Sequence, residues 1–188
     1  MTIVLGVTGG IAAYKACELV SLLRRQGHEV WCVMTESATK LVTPLTFETL
    51  TGHPVAVDAF SRKTPHDIEH IALARRADVV CVAPATANCL AKYAHGIADN
   101  LLATTLLATR APVLLAPAMN TAMWEHPATV ANVELLKQRG VAFVGPETGH
   151  LACGEEGAGR MTDVDAIAKA VSEQSSIAQA MRHGSRTE

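Results

Sequence analysis

Aromatic side chains are scarce: three Phe, two Tyr and two Trp make up only 4% of the 188 residues. With much Ala, Val and Leu beside them, this is the composition expected of helices packed on a parallel sheet. The charges nearly balance: 16 Lys and Arg oppose 18 Asp and Glu for a formal net charge of -2. Nucleic acid and anionic membranes are therefore not expected as main partners. No apolar run approaches the roughly 18 residues that span a bilayer. A basic leader is also missing, because Thr2 to Val7 run straight into a glycine turn, so no signal peptide is expected. The five cysteines include no C-x-x-C pair, which argues against a zinc ribbon or a dithiol redox site. An odd set of thiols with no such spacing fits a reducing, cytoplasmic setting.

What is present is alternation. Short apolar runs at Ile3 to Val7, Glu29 to Met34, Val79 to Val82, Val113 to Leu115 and Ala142 to Val144 read as buried strands. A weaker one lies at Val55 to Val57. Helical patterns fall between them at Ile11 to Gln26, Thr35 to Lys40, Pro44 to Leu50, Ile68 to Arg76, Ala87 to Tyr93, Ala98 to Thr109, Pro127 to Arg139 and Val164 to Glu173. Strands apolar throughout, alternating with helices, predict an α/β protein: a doubly wound parallel sheet in three Rossmann-like layers. One domain is expected over residues 1–174, with 175–188 a frayed tail or linker. Phe60 to Asp67 reads as a loop, and so does Gly149 to Arg160, where Gly149, Gly154, Gly157 and Gly159 make ordered structure entropically costly.

In such sheets ligands bind beyond the C-terminal strand ends. That rule selects Thr8-Gly9-Gly10, Thr35-Glu36-Ser37, Ala83 to Asn88, and Pro117 to Asn120. Gly6-x-x-Gly9-Gly10 departs from G-x-G-x-x-G because Thr8 occupies the second glycine's place. It still offers backbone N–H groups and a hydroxyl at a helix start, which suits an anion. After the second strand, Glu36 could hold a ribose, but the three hydroxyls of Thr35, Ser37 and Thr39 fit a terminal phosphate better. A single phosphomonoester is favoured over a pyrophosphate, pointing to FMN rather than NAD. Helix capping is the plain alternative for these hydroxyls.

Cys153 lies in the glycine-rich segment, where a thiol can approach a bound molecule. Glu155 and Glu156 beside it disfavour thiolate, so the residue suits proton donation better than nucleophilic attack. His66-Asp67-Ile68-Glu69-His70 matches H-x-x-E-H. Pro65 and the short helix that follows leave too little scaffold for zinc, so no metal is expected. His70 alone suits a base or a carboxylate partner. Asn120 offers an uncharged amide donor for a carboxylate, or simply a cap for the next helix.

Gly6-Val7-Thr8-Gly9-Gly10-Ile11-Ala12-Ala13-Tyr14-Lys15, Pro84-Ala85-Thr86-Ala87-Asn88, Pro117-Ala118-Met119-Asn120 with Met123-Trp124, and Ala152-Cys153-Gly154 occur in this order. Together they resemble the homo-oligomeric flavin-containing cysteine decarboxylases, and within them the phosphopantothenoylcysteine decarboxylases, over roughly residues 2 to 170. The resemblance implies FMN bound at a subunit interface of trimers, which in bacterial members assemble into dodecamers. It implies a small-molecule substrate, 4′-phospho-N-pantothenoylcysteine, converted to 4′-phosphopantetheine and CO2 in coenzyme A synthesis. A phosphopantothenate–cysteine ligase, fused or separate, is the implied companion. By the same resemblance, oxidation at the thiol precedes loss of CO2, and the resulting ene-thiol is then reduced.

His70 takes the place of the family's active-site histidine, Asn120 that of the carboxylate holder, and Cys153 that of the proton donor. Met119 and Ala152 would touch substrate beside Asn120. Gly9, Gly10, Ile11, Thr35 and Ser37 would surround the flavin phosphate and ribityl chain. Thr86, Ala87, Asn88, Cys89 and Ala118 would line the rest of its pocket, Cys89 standing where related members often have Thr. Asp99-Asn100 would buttress the interface. Three other readings stay open. Peptidyl-cysteine decarboxylases of lantibiotic maturation release the ene-thiol unreduced. Flavin prenyltransferases lack this arrangement of Asn120 and Cys153. Some relatives are non-catalytic regulators.

Overall fold

The computed structural model describes residues 1–60 and 68–184. Along the chain, β1 (Thr2–Val7) leads through a tight turn to α1 (Ala13–Arg25), and β2 (Glu29–Met34) is followed by α2 (Glu36–Thr39) and α3 (Pro44–Thr51). Next come α4 (Glu69–Arg76), β3 (Val79–Ala85), α5 (Ala87–His95), α6 (Leu101–Ala108) and β4 (Val113–Pro117). The chain continues with α7 (Thr121–Glu125), α8 (Pro127–Gln138), β5 (Ala142–Phe143), β6 (Glu147–His150), β7 (Glu156–Arg160) and α9 (Val164–Gly184).

Five strands form one parallel sheet in the order β2-β1-β3-β4-β5. Alternate residues of each strand feed two separate cores. Ile3, Leu5 and Val7 pack with α1, Phe47 of α3 and Ile167 and Val171 of α9. Val4, Val80 and Val82 pack on the other face with Leu73 of α4, Leu90 of α5, Leu102 of α6 and Leu136 of α8. Helices cover both faces because the strand interiors are apolar on either side, which gives the three expected layers. Among the described residues no helix is long and apolar enough to cross a membrane.

Three expectations need correction. Val55 to Val57 contributes only a single bridge, Ala56 to Val33, because Pro54 removes a donor on its approach. The glycine-rich segment is not simply a loop. Its flanks form an antiparallel hairpin, β6 on β7, and the turn is confined to Leu151 to Glu155. The expected entropic penalty is offset by partners outside the segment: Met119 N–H donates to the Gly159 carbonyl at 3.0 Å. Gly159 takes φ +137, and a Cβ there would overlap the Met119 carbonyl. At Gly157 a Cβ would strike the Thr121 hydroxyl. These glycines let the hairpin lie directly on the chain between β4 and α7. Finally, α9 runs to Gly184 rather than fraying from Ser175, its fourth turn extended by the Ser176 hydroxyl donating to the Ser172 carbonyl.

Candidate active site

The chain leaves β1 towards β2 on one side, while β3 lies on the other, so the order reverses between β1 and β3. Such a switch point opens a crevice at the strand ends, the FMN position in sheets of this strand order. Thr8 closes its floor. Its hydroxyl, 2% exposed, donates to the Pro84 carbonyl at 2.7 Å and accepts from Thr86 N–H at 3.2 Å. This ties the turn after β1 to the turn after β3. The hydroxyl expected to serve an anion is therefore already committed. A glycine at this position would leave the two turns untied.

Two adjoining cavities share Gly9, Thr86, Ala87 and Met123 as a common wall. The first, about 470 Å³, collects Thr35, Ser37, Asn88 and Cys89 of the expected cofactor residues. Of the three hydroxyls after β2, Thr35 caps α2 by accepting from Ala38 N–H, and Thr39 donates to the Glu36 carbonyl. Glu36 itself pairs with Lys40 at 3.4 Å. Only the exposed Ser37 hydroxyl is left without a partner among the described residues. It faces Gly9, where a Cβ would collide with Ser37 Cβ, so the turn and the serine form a seat open to an anionic oxygen. Thr86 caps α5, accepting from Cys89 N–H at 3.4 Å. Burial pushes the Cys89 thiol up to about 12, which keeps it neutral and unreactive.

Sequence reasoning missed the far wall of this cavity. Lys92 reaches both carboxylate oxygens of Asp99 at 2.8 and 2.7 Å, and Asn100 caps α6 through Ala103 N–H. The recurrent Asp99-Asn100 segment thus lines the cavity directly. Its separation from Lys92 by the Gly96 turn gave no periodicity to find it by.

The second cavity, about 680 Å³, lies under the hairpin and contains Gly10, Ile11, Ala118, Met119, Asn120, Ala152 and Cys153. Asn120 does two things at once. Its side-chain oxygen accepts from Ala122 N–H at 2.8 Å, capping α7. That bond fixes which end of the amide faces the cavity, leaving the NH2 group as donor. Nδ2 lies 3.7 Å from Cys153 Sγ and donates to Glu155 Oε2 at 2.7 Å. The thiol also donates to Glu155 Oε2, at 3.6 Å. Both readings of Asn120, cap and donor, therefore hold together in one side chain. Two cations line the same cavity. Arg160 is held by Glu147 at 2.6 Å and Asp163 at 3.6 Å, whereas Lys15 has no ion-pair partner among the described residues.

His70 lies in the first turn of α4, half-buried, and lines neither cavity. The expected H-x-x-E-H pattern extends into residues 66 and 67, outside the described residues. Among those described, no group of three metal-ligating side chains is gathered.

A doubly wound sheet with a polar crevice at its switch point, roofed by a thiol-bearing hairpin, defines a nucleotide-cofactor protein built to act on a second molecule beside the cofactor. The chain belongs to the flavoprotein family, whose model matches residues 1–176. It is 50% identical over 167 residues to the coenzyme A biosynthesis bifunctional protein CoaBC of Bacillus subtilis, covering 89% of this chain and 41% of that protein. The chain thus spans about two fifths of that relative's length. Among solved structures it resembles the FMN-dependent cysteine decarboxylase SpaF (36% identical, TM-score 0.80, covering 93% of this chain and 97% of that one). It is also similar to a PPC decarboxylase complexed with pantothenoylaminoethenethiol (32% identical, TM-score 0.81, covering 90% and 95%).

Proposed function

We propose that this chain is an FMN-dependent phosphopantothenoylcysteine decarboxylase, converting 4′-phospho-N-pantothenoylcysteine to 4′-phosphopantetheine in coenzyme A synthesis. The observation that carries the reading is the Asn120 amide facing the exposed Cys153 thiol beneath a hairpin, next to the switch-point cavity. The likeness to a PPC decarboxylase complexed with a decarboxylated pantothenoyl thiol supports the substrate class.

The residues present fit FMN. The Gly9–Ser37 seat takes one phosphate, and Thr86, Ala87 and Asn88 border the cavity it opens into. When bound there, FMN supplies oxidation of the substrate thiol and the later return of those electrons. The protein's own groups do the rest. Asn120 Nδ2 donates to the substrate carboxylate and orients the bond that breaks. Cys153 holds a proton at Sγ for the carbon that CO2 leaves behind. The hairpin turn holds the thiol beside the amide. Lys15, the unpaired cation of the second cavity, attracts the substrate phosphate.

A single chain leaves His70 outside both cavities. The helix before a parallel strand runs back along the sheet, so the N-terminal turn of α4 lies towards the ligand edge. We place His70 against the cleft of a neighbouring copy in a homotrimer. Mixing His70→Asn with Cys153→Ser, neither of which should form the fully reduced product alone, should then restore that product, because some clefts draw each residue from an unaltered chain. No recovery on remixing dissociated subunits would refute the shared site. Residues 1–174 form the catalytic unit, and the ligase follows or acts separately in the cytoplasm.

A peptidyl-cysteine decarboxylase is the second reading, since the likeness to the FMN-dependent cysteine decarboxylase SpaF supports cysteine decarboxylation without fixing the substrate. The exposed Cys153 thiol argues for the first, since an enzyme that releases the ene-thiol needs no reducing proton. Turnover of 4′-phospho-N-pantothenoylcysteine by the yellow protein, with mass spectrometry of the product, tests the assignment. A fully reduced amide is expected from the unaltered enzyme, and a product short by a hydrogen pair from Cys153→Ser. Release of the unsaturated product by the unaltered enzyme would favour the peptidyl reading.

A further inference from the structure

Glu155 has no role in the chemistry above, yet its carboxylate is bonded to two groups that line the second cavity. Asn120 Nδ2 donates to Glu155 Oε2 at 2.7 Å and Cys153 Sγ donates to the same oxygen at 3.6 Å. The turn aims it there: Leu151 N–H donates to the Glu155 carbonyl at 2.8 Å, and Gly154 N–H to the Leu151 carbonyl at 2.9 Å. With the other end of the Asn120 amide fixed by Ala122, the two N–H groups on Nδ2 are all this side chain can offer a carboxylate; one already goes to Glu155 and the other faces Cys153 Sγ at 3.7 Å.

We infer that Glu155 is an internal competitor for the carboxylate subsite, a specificity-determining residue that separates substrate from product by the group the reaction removes. The inference rests on the proposed decarboxylation. A substrate carboxylate and Glu155 carry the same charge and the same acceptor oxygens, so one must leave Asn120 as the other arrives. Exchange is close to neutral for a ligand that brings a carboxylate. The decarboxylated product brings none, and Glu155 closes back onto Asn120 and Cys153 as CO2 departs. Affinity for substrate is lowered by the fraction of time that Glu155 holds the amide, without any effect on a ligand that does not need the amide.

Titration calorimetry on FMN-loaded protein tests this with two probes. One is 4′-phospho-N-pantothenoylserine, which keeps the carboxylate but lacks the oxidisable thiol. The other is the product, 4′-phosphopantetheine. If Glu155 fills the subsite about nine-tenths of the time, Glu155→Ala should bind the serine probe about tenfold more tightly. Glu155→Gln should gain less, because its carbonyl still accepts from Asn120 through a weaker neutral bond. The product Kd should stay within about twofold in all three proteins. An unchanged or weaker serine-probe affinity in Glu155→Ala overturns the inference, and so does equal tightening of both probes, which would make Glu155 a steric plug. If the unaltered protein binds neither probe, the proposed function itself fails. Normal binding by the unaltered protein with no gain in Glu155→Ala removes only the role of Glu155.

Discussion

Replacing Asn120 with Asp separates its two tasks. Aspartate caps a helix about as well as asparagine, so the bond from Ala122 N–H survives and α7 should stay in place. What changes is the group facing the cavity, from a donor to a charged acceptor. Loss of a hydrogen bond to a charged partner costs about 1.5–3 kcal/mol. Two carboxylates about 4 Å apart repel by about 1–4 kcal/mol between bulk water and an effective dielectric of 20. The cavity is open at the hairpin and Glu155 is exposed, so the lower half of that range applies. Together they predict a loss of about 3–4 kcal/mol, or about 10²- to 10³-fold in kcat/KM. Steady-state CO2 release measures this, with bound-flavin absorbance as the control that should not move; Tm should fall modestly, because the new carboxylate faces Glu155 where Nδ2 now donates. Asn120→Ala, which lacks the cap, should lose activity and also about 0.5–2 kcal/mol of stability. A kcat/KM for Asn120→Asp within threefold of the unaltered enzyme, in folded protein with its flavin bound, would refute the carboxylate role of the amide.

Thr8→Val keeps the shape but leaves the Pro84 carbonyl and Thr86 N–H unpaired. The expected cost is about 2 kcal/mol, seen by calorimetry as a Tm lower by about 4–8 °C, with Thr8→Ser close to unaltered. Gly159→Ala forces a Cβ into the Met119 carbonyl at φ +137. It should detach the hairpin at a cost of about 1–3 kcal/mol and speed proteolysis between residues 151 and 155, while flavin stays bound. Thiol labelling of the folded protein at neutral pH should modify Cys153 first. Cys153 is exposed, whereas burial pushes the Cys81 and Cys89 thiols up to about 12 and Cys32 higher still. A thiolate is the reactive form, so raised values slow labelling at every pH below them, and fast labelling of all five cysteines would contradict the packing.

Hydrophobic period and turn residues were sufficient for the sheet, because each strand is buried on both faces and reads as an unbroken apolar run. The cap at Thr35 was legible too. Thr86 and Asn100 also stand directly before a helix and bond its first turn, although Asn100 reads from sequence as lying inside a helix that starts at Ala98. Motif order located the cleft, since its residues lie within a few positions of strand ends. The hairpin was not legible, because local entropy argues against strand at four glycines, and the missing term is tertiary. Gly157 and Gly159 are there for what they omit, side chains that would keep β7 off Thr121 and Met119. No local pattern encodes that approach.

The same distinction governs the acidic residues of the turn. Along the chain, Glu155 and Glu156 are equivalent charges beside a thiol. In the fold they part company. Glu156 pairs with His150 in the hairpin register and is exposed, while Glu155 is turned onto Asn120. An amide oriented by its own helix cap, a thiol and an intramolecular carboxylate then meet within hydrogen-bond range. That meeting depends on α7, the β6–β7 turn and Gly159 all being in place. The competition by Glu155 therefore depends on how the hairpin is seated, and loosening the hairpin at Gly159 should free Asn120 and favour carboxylate-bearing over carboxylate-free ligands before it erases flavin binding.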